Sequence, residues 1–252
     1  MPKKRKKSRK KATLSPSLFK VTGANAKLKV NDKKKKLYYF GTKVNPKKAA
    51  KLAAGTGADI LGVSGTALKI SKPSLKYDFY CAYEADLKMA FVRVRKQEFG
   101  VQDQMKAAMV GKEIHSPKKG KGIPGKAIQL DIVELFETKG ADTMILDGST
   151  GTSARSLERI LKGTGKKKAT PAWVRKNKIS PGKFNALAKV TKAVVKMAGR
   201  KPAEAKRVVS HSLTFKKLEG YYVPTYYVKV AAGSKSRMMR INAVNGNVAL
   251  KV

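Results

Sequence analysis

The surplus of cations is the feature that most restricts how this chain can fold. Residues 1–48 carry eighteen Lys or Arg and a single acid, Asp32, and the 252 residues together set 57 basic side chains against 16 acidic ones, a formal net charge of +41. Like charges at that density repel one another in any compact free state. The cations must therefore lie on arms, loops and outer faces, where a polyanion can neutralise them. Nucleic acid offers the highest linear charge density, roughly one charge per 1.7 Å of duplex axis, and is the expected partner.

Composition sets the other bounds. An apolar fraction of 42% is ordinary for a globular chain and excludes a wholly disordered polycation. One or two modest cores are expected at this length. Cys81 is the only cysteine, which excludes an internal disulfide and a cysteine zinc site. His115 and His211 add no metal constellation, so no cofactor and no small-molecule substrate are expected. No apolar run reaches about 18 residues and the basic start is not followed by one, which predicts neither a membrane partner nor a secretory signal. The expected location is intracellular, with the cytoplasmic ribosome favoured and the nucleus or a virion as alternatives. The run Lys3–Lys11 suits a binding arm, and it also suits a nuclear import signal.

The expected fold class is α+β: two small helix-plus-antiparallel-sheet units, with a central helical segment, a basic extended arm and basic linkers. Residues 1–36 read as the arm and 37–111 as a first α+β unit, with a β-type run at Leu37–Phe40 and a helix from Pro46 to about Leu61 that Gly55 and Gly57 weaken. Tyr77, Phe79, Cys81 and Tyr83 alternate with Asp78, Tyr80, Ala82 and Glu84, the period of a half-buried strand. A further strand is expected at Lys88–Lys96, with Arg93 and Arg95 on its outer face. Residues 112–126 read as a basic Gly/Pro loop and 127–162 as a mixed connecting segment. That segment is expected to hold a helix at Ile128–Thr138, a strand at Met144–Leu146 and a helix near Ser153–Lys162 capped by Thr152 or Ser153. Residues 163–182 have linker composition, and 183–252 form a second α+β unit. Its expected helices are Lys183–Met197 and Pro202–Val209, and strands follow at His211–Phe215, Tyr221–Val230 and Arg237–Val244. Asn245-Gly246 is a type I′ hairpin signal.

The run Ala67–Ile70, Tyr77–Tyr83, Lys88–Val94 parallels Ser212–Phe215, Tyr221–Tyr227, Arg237–Ile241, each after an alanine-rich helix, as a duplicated unit would. The alternative is two amphipathic meanders that share tyrosines. The second unit also resembles the PepSY family of small α+β modules. Ala203-Glu204-Ala205 match its helix, Tyr221–Val230 its central strand, and Arg240-Ile241-Asn242-Ala243-Val244-Asn245-Gly246-Asn247-Val248 its closing V-D-A-x-T-G-x-V hairpin, with Asn242 at the family's aspartate and Asn245 at its threonine. The resemblance implies a fold and no function. In overall character the chain resembles basic ribosomal and nucleic-acid-packaging proteins.

The candidate phosphate contacts are Lys3, Lys4, Arg5, Lys6, Lys7, Arg9, Lys10 and Lys11; Lys33, Lys34, Lys35 and Lys36; Lys118, Lys119 and Lys121; and Lys166, Lys167, Lys168, Arg175, Lys176 and Lys178. Trp173 lies among the last group, where its ring either stacks on an unpaired base or pins the linker to a domain surface. Tyr80, Tyr222 and Tyr226 offer a base-stacking sheet face or core packing. Gly148-Ser149-Thr150-Gly151 reads as a capped turn; as a phosphate cradle it lacks the lysine and spacing of a P-loop. Asp131, Glu134 and Glu137 fall on one side of the expected helix and meet lysines of neighbouring loops. The histidines lack a nucleophile or paired acid at a usable spacing, and Cys81 is expected to be a buried, inert thiol. No catalytic residue emerges. The expectation is a non-catalytic RNA-binding protein of a ribonucleoprotein assembly, with other proteins of that assembly as further partners. The alternatives are a DNA-compacting chromatin-like or viral nucleoprotein and a coat or core subunit that faces a packaged genome.

Overall fold

The computed structural model describes residues 14–32 and 35–250. The elements in chain order are β1 (Lys29–Asn31), β2 (Lys35–Phe40), α1 (Pro46–Leu61), β3 (Lys69–Ile70), β4 (Ser74–Val101), β5 (Ala108–Val110), β6 (Glu113–His115), β7 (Lys118–Lys119), β8 (Lys126–Asp147), α2 (Glu158–Lys162), β9 (Lys166–Lys168), α3 (Pro171–Lys176), α4 (Leu187–Ala198), β10 (Arg207–Ala232), β11 (Lys235–Asn242) and β12 (Val248–Leu250). The protein is mixed α+β, about 21% helix and 47% strand, with one large mixed sheet. The main strand order is β12-β11-β10-β4-β8-β7, while β5 and β6 pair separately. Among the described residues no helix is long and apolar enough to cross a membrane.

Three strands are far longer than their sequence suggests. The expected runs Leu75–Glu84 and Lys88–Lys96 are one strand, β4, and His211–Phe215 and Tyr221–Val230 are likewise one strand, β10, while Arg237–Val244 falls largely on β11. The expected helix at Ile128–Thr138, and with it a central helical segment, is replaced by β8. Ile128, Ile132, Val133 and Thr138 are β-branched and favour a pleated surface over a helix. Exposure alternates along Gln129–Glu134, with Leu130, Ile132 and Glu134 turned inward and Gln129, Asp131 and Val133 outward. Asp131 and Glu137 therefore do not share a face with Glu134. Pro202–Val209 is a turn that passes directly into β10 rather than a helix. The helix after the Gly148 turn is also shorter than expected, and neither Thr152 nor Ser153 caps it: the position before α2 is Leu157, with no side-chain cap.

The chain divides into two compact units. The larger comprises residues 30–86, 140–199 and 213–252. Its α1 starts at Pro46 behind Asn45, whose Oδ1 accepts the Lys48 amide at 2.8 Å, and ends at Gly62 in the left-handed region with φ 65°. The buried face Ala49, Ala53 and Leu61 packs on Val228 and Val230 of β10 and on Met239 and Ile241 of β11. The small alanines let the helix lie close, and Gly57 faces Val230, so the expected weak point is a close-packed contact. A second cluster joins Phe40, Tyr80, Ala82, Leu161, Tyr221 and Val223. The smaller unit comprises the described residues up to 29, together with 87–139 and 200–212. Its core is Met89, Phe91, Ala205 and Val208. Arg93, expected on an outer face, lies 4.2 Å from the Phe136 ring and donates to Glu134 at 2.7 Å.

Within the larger unit, Gly148 donates its amide to Phe79 at 2.8 Å and accepts from the Phe184 amide at 2.9 Å. A Cβ there would stand 2.6 and 2.7 Å from the Phe79 and Phe184 carbonyl oxygens. Backbone cannot rotate away as a side chain can. Gly148→Ala is therefore expected to destabilise by about 1–3 kcal/mol. Gly55→Ala, in α1 with open space at the new methyl, is expected to stabilise by about 0.5–1 kcal/mol. Urea unfolding midpoints of the two variants check the opposite signs.

Candidate nucleic-acid interface

The described cations from two separate basic segments of the sequence meet at one edge of the larger unit. β2 pairs in parallel with β10, with Tyr39 opposite Tyr222, and on its other side it pairs antiparallel with β9. β9 consists of Lys166, Lys167 and Lys168 and pairs only with β2 among the described residues, so its outer edge is open. Lysines on an open edge discourage pairing with another chain, and they also offer ammonium groups to phosphates. Lys35, Lys36, Lys167 and Lys168 are exposed. Lys166 is not free in the same way. Its Nζ donates to the Leu161 carbonyl at 3.3 Å and lies 5.0 Å from the Tyr38 ring and 5.6 Å from Tyr221.

α3 follows directly. Thr170 Oγ1 accepts the Trp173 amide at 3.2 Å, and Pro171 opens the first turn. The Trp173 ring stacks on Tyr39 at 4.3 Å, takes the edge of Tyr77 at 4.8 Å and approaches Tyr222 at 5.5 Å. One face of the indole is thus covered by the protein, as the pinning role requires. Tyr77 further ties the segment down by donating its amide to the Lys178 carbonyl and accepting from the Ser180 amide. Arg175 and Lys176 in the last turn of α3, and Lys178 beyond it, are exposed. Lys118, Lys119 and Lys121 belong to the smaller unit. They line a cavity of about 490 Å³ with His115, where Glu98 accepts the amides of Lys121 and Gly122 at 3.0 and 3.1 Å. Lys3–Lys11, Lys33 and Lys34 lie outside the described residues.

A second cavity, about 480 Å³, opens beside β9. Lys43, Arg159 and Lys167 contribute its charge, and Gly163, Thr164 and Gly165 form a rim with small side chains. Lys43 and Arg159 carried no distinguishing signal in the sequence, because the fold alone brings them near Lys167. By contrast, the Gly148–Gly151 turn has little left for an anion. Asp147 Oδ1 accepts the Ser149 and Thr150 amides at 2.7 and 3.3 Å, and the Asp147 carbonyl accepts the Gly151 amide.

The most heavily buried charge lies elsewhere in the larger unit. Asp78, expected on the solvated face of its strand, is 0% exposed because β4 is covered on both faces here. Its Oδ2 accepts from Arg240 at 2.7 and 3.2 Å, and its Oδ1 from Ser180 and Tyr227 hydroxyls, each at 2.5 Å. Arg240 also reaches the Tyr80 hydroxyl at 3.0 Å and Asp147 at 3.4 Å. Tyr80 and Tyr227 are therefore parts of a polar network. Burial works against the charge on Arg240, and the Asp78 carboxylate more than offsets it, holding the guanidinium above its ordinary value. Burial raises both tyrosines, with Asp78 adding to the shift. The signal for this network was an acid between Tyr77 and Phe79 in a chain short of acids. Among the described residues no group of three His, Cys, Asp or Glu is placed to hold a metal ion. Glu113 stands 3.7 Å from His115, and His211 is buried in β10.

Removing one member of a buried pair strands the other, so Asp78→Ala is expected to cost about 3–5 kcal/mol in urea unfolding. Burial also pushes the Cys81 thiol from 9.0 up to about 12. This group and the tyrosines stay protonated in the folded chain after the unfolded chain has ionised them. Stability is thus fully present below about pH 9 and is expected to fall as pH rises towards 12. Unfolding midpoints across that range check the sign, and native Cys81 is expected to resist a thiol reagent until the chain unfolds. No family model matches the chain, and neither a curated protein nor a solved structure is significantly similar to it.

Proposed function

We propose that this chain is a non-catalytic RNA-binding protein, a ribosomal or ribosome-associated component that stabilises folded RNA through its basic extensions. The observation that carries the reading is where the few acids go. Asp78 and Asp147 are held by Arg240, Glu134 by Arg93, Asp86 by Lys216, Glu158 by Lys162 and Asp32 by Lys35. Glu98 takes two backbone amides, and Glu219 takes the Tyr221 hydroxyl. With 57 cations in the chain, such pairing leaves most positive charge without a carboxylate, and exposed Lys36, Lys167, Lys168 and Lys178 are among it. Basic segments that contain Gly and Pro suit the grooves of a folded RNA, which only extended chain enters. Other proteins of the same assembly are the expected further partners, in a cytoplasmic ribosomal setting, with no cofactor, small substrate or membrane. For the fold, Gly246 at φ 82° suits the closing turn of a PepSY-like module, whereas Ala203-Glu204-Ala205, matched to that family's helix, lie in a turn. The order α1 before β4 and α4 before β10 is what a duplicated origin would retain, but the matched runs divide differently, Tyr77–Tyr83 and Lys88–Val94 on one strand and Tyr221–Tyr227 and Arg237–Ile241 on two.

Binding by charge neutralisation releases counterions. The affinity of the full chain for structured RNA is expected to fall linearly with salt on logarithmic axes, by about 0.7–0.9 per phosphate contact. In lysate gradients the chain is expected to migrate with ribosomal particles, surviving DNase and not RNase. Binding to RNA no tighter than to an equal mass of acidic polypeptide would overturn the reading. Affinity proportional to DNA length and indifferent to RNA structure would favour a DNA-compacting protein, and symmetric oligomers without nucleic acid would favour a coat subunit.

A further inference from the structure

We infer that the cavity beside β9 is a pocket for one unpaired nucleotide of a single-stranded RNA segment. The inference rests on the RNA-binding reading and adds to it where, and in what form, the strand is held. The cavity has about 480 Å³, within the range of pockets that enclose small organic ligands. Its lining divides chemically. Ile160 and Val244 supply apolar surface beside the buried Phe40, and Lys43, Arg159 and Lys167 supply cations with no acid among the lining residues.

Those cations are available. None of the three is within ion-pair distance of a carboxylate among the described residues, and Glu158, the acid of α2, is held by Lys162 at 2.6 Å. In a chain of charge +41 an uncompensated trio at one cavity invites an anion. Inorganic phosphate alone would leave the apolar surface unused, and an apolar ligand would leave the cations unused. A nucleotide uses both, with its base on the apolar side and its phosphate between the ammonium and guanidinium groups. A base that is paired and stacked in a duplex cannot enter a concavity of this size, so the occupant is unpaired. The small residues Gly163 and Gly165 at the rim let the sugar-phosphate backbone approach closely.

Continuity with the exposed edge supports the same occupant. Lys167 belongs both to the cavity and to β9, beside exposed Lys168, and β2 next to it carries exposed Lys36. A strand seated in the pocket can therefore continue from Lys167 onto the other exposed cations of this edge.

The test compares a 12-nucleotide single-stranded RNA and a 12-base-pair RNA duplex, each bound by the full chain and by the double variant Lys43→Gln/Arg159→Gln. Both residues are exposed, so the variant is expected to keep the wild-type unfolding midpoint. The single strand is expected to lose at least about fivefold in affinity and its salt slope to shrink by about 0.7, the one phosphate that the pocket neutralises. Duplex affinity is expected to change by less than about twofold. Photocrosslinking of a 4-thiouridine version of the 12-mer is expected to label peptides within 159–167. Wild-type chain that binds the single strand while the variant binds it equally, or crosslinks that fall only outside the cavity, would overturn the pocket and leave the RNA reading standing. Wild-type chain that binds neither RNA would overturn both.

Discussion

Sixteen carboxylates cannot neutralise fifty-seven cations, and the distribution of those carboxylates organises the molecule. Where a strand needs a charge inside, the chain brings acid and base together: Asp78 meets Arg240 under the hydroxyls of Ser180 and Tyr227, and Arg240 reaches on to Asp147. A desolvated pair of this kind is costly unless its remaining hydrogen-bonding capacity is met, which is what the hydroxyls supply. Glu134 and Arg93 do similar work in the smaller unit. These acids are not available to screen the surface, and the exposed ones, among them Asp59, Asp103, Glu113, Asp131, Glu137 and Glu204, are too few for 57 cations. The outer cations are left to repel one another, or to meet a polyanion.

The basic edge of the larger unit illustrates how one set of residues serves structure while leaving cations exposed. A strand made of three lysines forms no sticky edge, and Lys166 uses its ammonium to satisfy the end of α2 and to lie on two tyrosine rings. Trp173 anchors the following helix on Tyr39. The cations that remain exposed are thereby held on ordered backbone, which lowers the conformational entropy lost when they meet phosphates.

Much of this was legible in the residues, and the failures are instructive. Pro46 and the alanines mark α1 because propensity acts locally. In the tail, Arg237–Val244 is legible as β11, whereas the type I′ signal at Asn245-Gly246 is not realised: Gly246 has a positive φ and Asn245 does not, and the link from Asn242 to Val248 is longer than two residues. The length of β8 was not legible. Its apolar residues fit a helical spacing as well as an alternating one, and pairing with strands distant in sequence decided between them. Asp78 was misplaced for a related reason: alternation indicates which residues share a face, and tertiary structure decides whether that face is covered. Of the interface, the clusters of lysine were plain, whereas the cavity residues Lys43 and Arg159 are separated by over a hundred positions and became neighbours only through the fold.

The central claim is that this polypeptide reaches its most stable form only against a phosphate polymer. Thermal unfolding of the full chain at low ionic strength, alone and with stoichiometric structured RNA, tests it directly. The account predicts a midpoint that rises with added salt in the free protein, as screening relieves self-repulsion, and rises further with RNA at low salt, where binding is tightest. A midpoint indifferent to both salt and RNA would contradict it.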